Sequence, residues 1–205
     1  MSKLIEDQLT FIKEKKNDLN SSFNSEASFT NNEEYQTETE NEETCDFQNT
    51  INSISYLLSE IININSKYND QQKCLENDIF TPRILPTISI LDYLNRIVIF
   101  SNVEENTLIS ALIYIDTVAK IKKISKFNVY KILFTAMLIS LKFNEDKIYK
   151  NNYYAQIAGV SIEELLILEN EFLKLIDFKL IISENTFNAY KLALERLNYK
   201  YENID

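Results

Sequence analysis

The residue whose type and place most invite chemistry is Lys142, in the stretch ISLKFNED that runs from Ile139 to Asp146. The apolar run ILFTAMLISL leads into it, Phe143 follows, and Glu145 and Asp146 come just after. Burying an ammonium is costly, so a lysine in that setting needs a reason. At the last turn of a helix it would meet the negative end of the helix dipole, and its stem could lie on Leu138 and Phe143. Other chemistry is scarce. The chain has no histidine, which removes the commonest base, metal ligand and triad member. A single glycine rules out a glycine-rich phosphate loop. Cys45 and Cys74 lie far apart, and without histidines they make no zinc site. The carboxylate runs Glu33-Glu34 and Glu42-Glu43 fall in a stretch that reads as solvated. No catalytic residue, metal site or cofactor is expected. A binding module is what remains.

The elements that must position Lys142 are helical. One glycine and two prolines in 205 residues leave few places for the backbone to break, which favours long helices over a turn-rich sheet fold. In residues 4–17, Leu4, Ile5, Leu9 and Ile12 fall at helical spacing, so a short amphipathic helix is expected within 1–18. Residues 19–46 are polar, acidic and unpatterned, and are expected to be disordered. From Phe47 the apolar positions Ile51, Ile54, Leu57, Leu58, Ile61 and Ile62 mark one helical stripe to about Ile64, with a polar connection reaching residue 78. Pro82 and Pro86 hold an extended lead-in, and Thr87 or Ser89 can cap a helix that buries Ile90, Leu91, Leu94, Ile97 and Val98. Residues 105–120 form the next helix, on Leu108, Leu112 and Ile115. Residues 128–143 are apolar on almost every side and predict the most enclosed helix.

The stretch from Asn151 to Leu180 is the most legible. NYYAQIA should end at Gly159, where a left-handed C-cap needs no side chain. Ser161 then opens SIEE, a capping box with Glu164, ahead of a helix that buries Leu165, Leu168, Phe172 and Leu175. Ser183 caps a closing helix. The expected fold is therefore all-α, with about five helices in residues 88–176 and one more on each flank.

The formal charge of −10 is unevenly placed: residues 1–50 hold 12 of the 31 acids and 4 of the 21 bases, net −8. The remainder is close to neutral and shows no basic stripe, so nucleic acid is not an expected partner. No apolar run reaches spanning length and the start does not read as a signal peptide, so no membrane partner is expected. With its cysteines read as reduced thiols, the chain is expected to be soluble and intracellular, in cytoplasm or nucleus.

Residues 79–190 resemble a cyclin box, and within cyclins the P/U-type subfamily. The stretches that carry the resemblance are FTPRILPTISILDYLNRI, ALIYIDTVAK, KILFTAMLISLKFNED and NNYYAQIAGVSIEELLILENEFLKLIDFKL, in that order. The resemblance implies a single five-helix box at 79–182, with a flanking helix and connection at 47–78 and a C-terminal helix and tail at 183–205. It further implies a non-catalytic subunit that binds and activates a cyclin-dependent protein kinase without a small-molecule cofactor. A lysine and a glutamate that contact the kinase N-lobe, beside its mobile helix, correspond to Lys142 and Glu169. The surrounding contact surface corresponds to Ile139, Phe143, Asn170, Leu173, Phe178 and Leu180. Arg96 and Asp116 would pair to join the first two box helices, with Gly159 and Ser161 as structural positions.

The sequence departs from wider cyclin patterns in two places. Thr117 stands where many cyclins have arginine. Tyr93, in PTISILDYL, replaces a tryptophan of the substrate-docking groove, which puts that groove in doubt. Read without the family, Lys142 reaches along its stem to water and Glu169 decorates a helix face, while Phe143, Leu173 and Phe178 suit a core as well as an interface. Two other readings stay open: a cyclin-box adaptor that binds proteins without activating a kinase, and a plain helical scaffold.

Overall fold

The computed structural model describes residues 38–67, 78–82 and 84–201, and every regular element among them is an α-helix. In chain order they are α1 (Glu38–Lys67), α2 (Ile90–Ser101), α3 (Glu105–Ala119), α4 (Val129–Asn144), α5 (Asn151–Ala158), α6 (Ile162–Leu175) and α7 (Glu184–Tyr201). The five helices α2–α6 correspond to the expected box, with α1 and α7 on its flanks. The helix expected within 1–18 and the side chains of Cys45 and Cys74 lie outside the described residues.

The first helix begins at Glu38, nine residues ahead of the start that apolar spacing predicts at Phe47. The segment opens ETENEE, and carboxylates near a helix N-terminus favour the positive end of the dipole. From Ile51 the expected stripe holds, with Ile51, Ile54, Leu57, Leu58 and Ile61 buried and Phe47 and Ile62 half-buried. This stripe lies against α2, α3 and α7.

The core is built on α3 and α4, which pack along one another. The expectation of a single most enclosed helix is corrected: α3 buries 11 of its 15 residues and α4 buries 11 of its 16. The polar residues of α3 are satisfied within the fold. Ser110 and Thr117 donate their hydroxyls back to the carbonyls of Asn106 and Ile113. Asp116, buried, accepts from the Tyr190 hydroxyl of α7 at 2.6 Å. Between the two helices, Ser140 donates to the Thr107 carbonyl at 2.7 Å. Hydroxyls with partners of this kind enter a core at little cost.

Local punctuation follows the sequence closely. Ser89, Ser161 and Ser183 accept from the backbone N–H groups of Asp92, Glu164 and Thr186, capping α2, α6 and α7. Gly159 sits at φ 73° and returns its N–H to Ala155, closing α5. The capping box is only half as expected. The Glu164 carboxylate turns to Lys131 at 2.6 Å, while Glu163 takes hydrogen bonds from its own backbone N–H and from Ser161, which hold its carboxyl below the usual range. Lys131 also donates to the carbonyls of Ile79 and Thr81, tying the lead-in segment to α4 and α6. Beside that tie, Phe80 is buried edge-on against Phe172 of α6.

Candidate functional site

Lys142 lies at the point where α4 emerges from the core. Leu138 and Leu141 are fully buried beneath it, while Phe143 just after it is 49% exposed. Position 142 therefore falls on the boundary, where a lysine can bury its stem and keep its head at the surface. The acids that follow are not its partners. Glu145 accepts from the backbone N–H of Glu104 just ahead of α3, which ties off the link after α4.

The Lys142 ammonium instead meets Glu169, in the middle of α6, at 2.5 Å. The second carboxylate oxygen of Glu169 faces the side-chain amide of Asn151, the first residue of α5, at 3.5 Å. Three helices thus converge on one ion pair: the end of α4, the start of α5 and the middle of α6. The lysine side chain is 27% exposed and the glutamate 13%. An ammonium has three donors and Glu169 takes one, and the Asn151 contact is long. The pair is held in place by the protein yet keeps donor and acceptor capacity toward solvent. Such a site suits the polar backbone of a partner. Among the described residues, no group of three or more His, Cys, Asp or Glu could hold a metal ion.

The other expected contact residues divide. Phe143 and Asn170 are exposed, and Phe178 is 61% exposed. Leu173 and Leu180 are half-buried against the core. Ile139 is withdrawn: at 3% exposure it belongs to the core, because α4 is covered by α2, α3, α5 and α6 and only its last turn emerges. Phe178 is presented by an unusual turn in which Asp177 and Phe178 both have φ of 53°. The turn is fastened by the Phe178 N–H donating to Leu173 and by the Tyr114 hydroxyl donating to the Leu180 carbonyl at 2.7 Å. Burial pushes the Tyr114 phenol up to about 12.

Sequence reasoning missed three residues here. Leu166 and Ile167, about half exposed, lie on the outer side of α6 one turn ahead of Glu169 and Asn170. The buried stripe of Leu165, Leu168 and Phe172 was a signal for them, since it forces the residues between to face outward. Asn151 gave no signal, because its role depends on how α5 docks.

The expected Arg96–Asp116 pair is also corrected. Arg96 sits on the exposed side of α2 and donates to the Gln156 carbonyl of α5 at 3.4 Å. Asp116 faces the other way, to Tyr190 and, at 3.7 Å, to Lys120. Near the doubted groove, Tyr93 is buried edge-on against Tyr130, whose hydroxyl donates to the Ile88 carbonyl. A cleft of about 290 Å³ opens alongside, lined by α1, the lead-in segment and the start of α4.

With this geometry established, comparison with known proteins is informative. The family model described as Cyclin matches residues 14–180. Cyclin-U4-3 of Arabidopsis thaliana is 38% identical over 149 residues, covering 71% of this chain and 67% of that protein. PHO85 cyclin-7 of Saccharomyces cerevisiae is 30% identical over 174 residues, covering 73% of this chain and 60% of the yeast protein. Cyclin-P4-1 of rice, Oryza sativa subsp. japonica, is 35% identical over 113 residues, covering 54% of this chain and 53% of the rice protein. The chain thus spans between about half and two thirds of the length of these relatives.

Proposed function

The chain belongs to the cyclin family, in its P/U-type branch, and from that premise we propose that it is a non-catalytic regulatory subunit of a cyclin-dependent protein kinase. The observation that carries this reading is the Lys142–Glu169 pair, which stands at the meeting of three helices with apolar residues exposed nearby. One relative is named a PHO85 cyclin, which supports a cyclin's class of partner here.

In this reading Lys142 and Glu169 bond to the kinase N-lobe beside its mobile helix. Phe143, Leu166, Asn170, Leu173, Phe178 and Leu180 supply the surrounding contact. A kinase of this type is inactive while that helix is displaced, because the Lys–Glu ion pair that positions ATP is then unmade. A subunit that binds only the helix-in form shifts the population toward it by its differential affinity. Moving the balance from 1:99 to 99:1 takes about 5.5 kcal/mol. Charge-assisted hydrogen bonds contribute about 1.5–3 kcal/mol each, and buried apolar area about 25 cal/mol per Å². Two charged anchors with an apolar rim therefore reach the required scale. The working compartment is intracellular, where such kinases act.

The test is capture of purified cyclin-dependent kinases by the full chain, each assayed for phosphotransfer with and without it. Binding with stimulation is expected. Binding without stimulation would favour an adaptor, and no binding by any kinase would overturn the proposal.

A further inference from the structure

Glu169 sits in the middle of α6, and α6 is braced on both sides of it by groups outside the ion pair. Ahead of it, Glu164 meets the ammonium of Lys131, in the first turn of α4, at 2.6 Å. Beyond it, Phe172 is fully buried and packs edge to face with Phe80, their ring centroids 6.4 Å apart. Glu164 precedes Glu169 by five residues and Phe172 follows it by three, so both braces act within about a turn and a half of Glu169.

Both braces lead back to the same lead-in segment. Phe80 belongs to it, and Lys131 donates to the carbonyls on either side of Phe80, to Ile79 at 2.9 Å and Thr81 at 3.4 Å. The segment is pinned again by Asp78, whose carboxylate meets Lys122 at 2.9 Å and accepts from the Phe80 N–H and the Thr81 hydroxyl. Lys122 also lies over the Phe80 ring, 5.6 Å from its centroid. The Lys131 side chain is only 14% exposed and serves three acceptors, as many as an ammonium has donors. It is thus unlike Lys142, which keeps donors toward solvent: Lys131 has nothing left to offer a partner, and its task lies within the fold.

We infer that Lys131 is a positioning residue for the partner site: together with Phe80 it holds α6 so that Glu169 stands against Lys142 before any partner arrives. The helices α4 and α6 are pinned at two points, Lys131–Glu164 and Lys142–Glu169, of which the first is closed within the fold and the second open to a partner. A carboxylate that bonds Lys142 and a partner donor together needs its helix at a fixed height and rotation. Without the brace α6 can shift, and ordering it on docking is subtracted from the affinity. The consequence for binding rests on the kinase-binding reading above, whereas the effect on the ion pair is a property of the free chain.

The test uses the full chain in two settings. In the free chain, the coupling between Lys142 and Glu169 is measured by urea unfolding of Lys142→Met, Glu169→Gln and both, once with Lys131 and once with Lys131→Met. The coupling is expected to fall by half or more when Lys131 is replaced. In the complex, titration of the kinase that wild type captures is expected to show binding about tenfold weaker for Lys131→Met and for Phe80→Leu. Lys131→Arg keeps the donors and should bind within about twofold of wild type. In the Glu169→Gln background, Lys131→Met and Phe80→Leu should each cost less than about twofold, which a general loss of stability would not produce. Circular dichroism at the temperature of titration keeps unfolding out of the affinities. An unchanged coupling in Lys131→Met, or equal losses of affinity in the two backgrounds, overturns the brace and leaves the kinase reading standing. A reduced coupling in a chain that captures no kinase upholds the brace and overturns the kinase reading.

Discussion

Replacing Lys142 with methionine, Glu169 with glutamine, and both together measures whether the central ion pair is a working contact in the free chain. The pair is at 2.5 Å with side chains 27% and 13% exposed. Fully exposed pairs couple by about 0.2–1 kcal/mol, and hydrogen bonds to charged groups contribute about 1.5–3 kcal/mol when better shielded. A partly exposed pair belongs between these, so a coupling of about 1 kcal/mol is expected from the double-mutant cycle. The two single variants should not be equal. Glu169→Gln leaves a lysine that can extend to water. Lys142→Met leaves the more enclosed carboxylate with only the 3.5 Å contact from Asn151, and should cost more. Urea unfolding followed by circular dichroism gives the free energies. For a chain of this size each kcal/mol lost also lowers the midpoint temperature by about 2–4 °C. Additivity of the two changes within about 0.3 kcal/mol would refute the reasoning, because the charges would then not be coupled.

Other expectations concern the frame around the pair. Gly159→Ala meets no atom within 4 Å of its new Cβ, so its cost, about 1 kcal/mol by denaturant unfolding, comes from φ of 73° alone. Asp177→Gly removes a side chain from a backbone at φ of 53°, and is expected to raise the unfolding free energy by up to about 1 kcal/mol; its exposed contact with Lys179 gives up little. In alkali, Tyr114 keeps its proton in the folded chain until about 12, whereas the unfolded phenol ionises near 10. Its contribution to stability is full below pH 10, where the phenol is neutral in both states, and is lost as pH rises toward 12, because only the unfolded chain releases this proton in that window. That release opposes folding, so the folded chain loses stability as pH climbs from 10 to 12, and tyrosinate absorbance from this residue should appear only with unfolding or at the top of the window.

The fold class was legible because the chain is nearly free of helix breakers and its stripes repeat at three and four. The serines at 89, 161 and 183 and the lone Gly159 then marked where helices begin or end. These signals are local, and the structure departs from them where a side chain chooses between its own helix and a neighbour. Glu164 stands at the right spacing to answer Ser161, yet Lys131 of α4 lies closer to hand and takes it. Arg96 and Asp116 have complementary charge, but α2 and α3 pack with the two residues facing different neighbours. Ile139 lies one turn before Lys142 on a helix covered by four others, which no spacing within α4 reveals. The resemblance supplied what periodicity could not, the singling out of positions 142 and 169, but that the two meet each other across 27 residues of sequence is a finding of the fold. Asn151, the third member of that site, needed the docking of α5.

The central claim is that Lys142 and Glu169 form the surface through which this cyclin holds a kinase. Its most direct test is the affinity of the wild-type chain and of Lys142→Glu for the kinase that wild type captures. Reversing the charge sets a second carboxylate against Glu169 and removes the donor the partner would use. The account predicts a folded chain whose binding, and whose stimulation of phosphotransfer, falls by two orders of magnitude or more. A folded Lys142→Glu chain that binds and activates as well as wild type would contradict it.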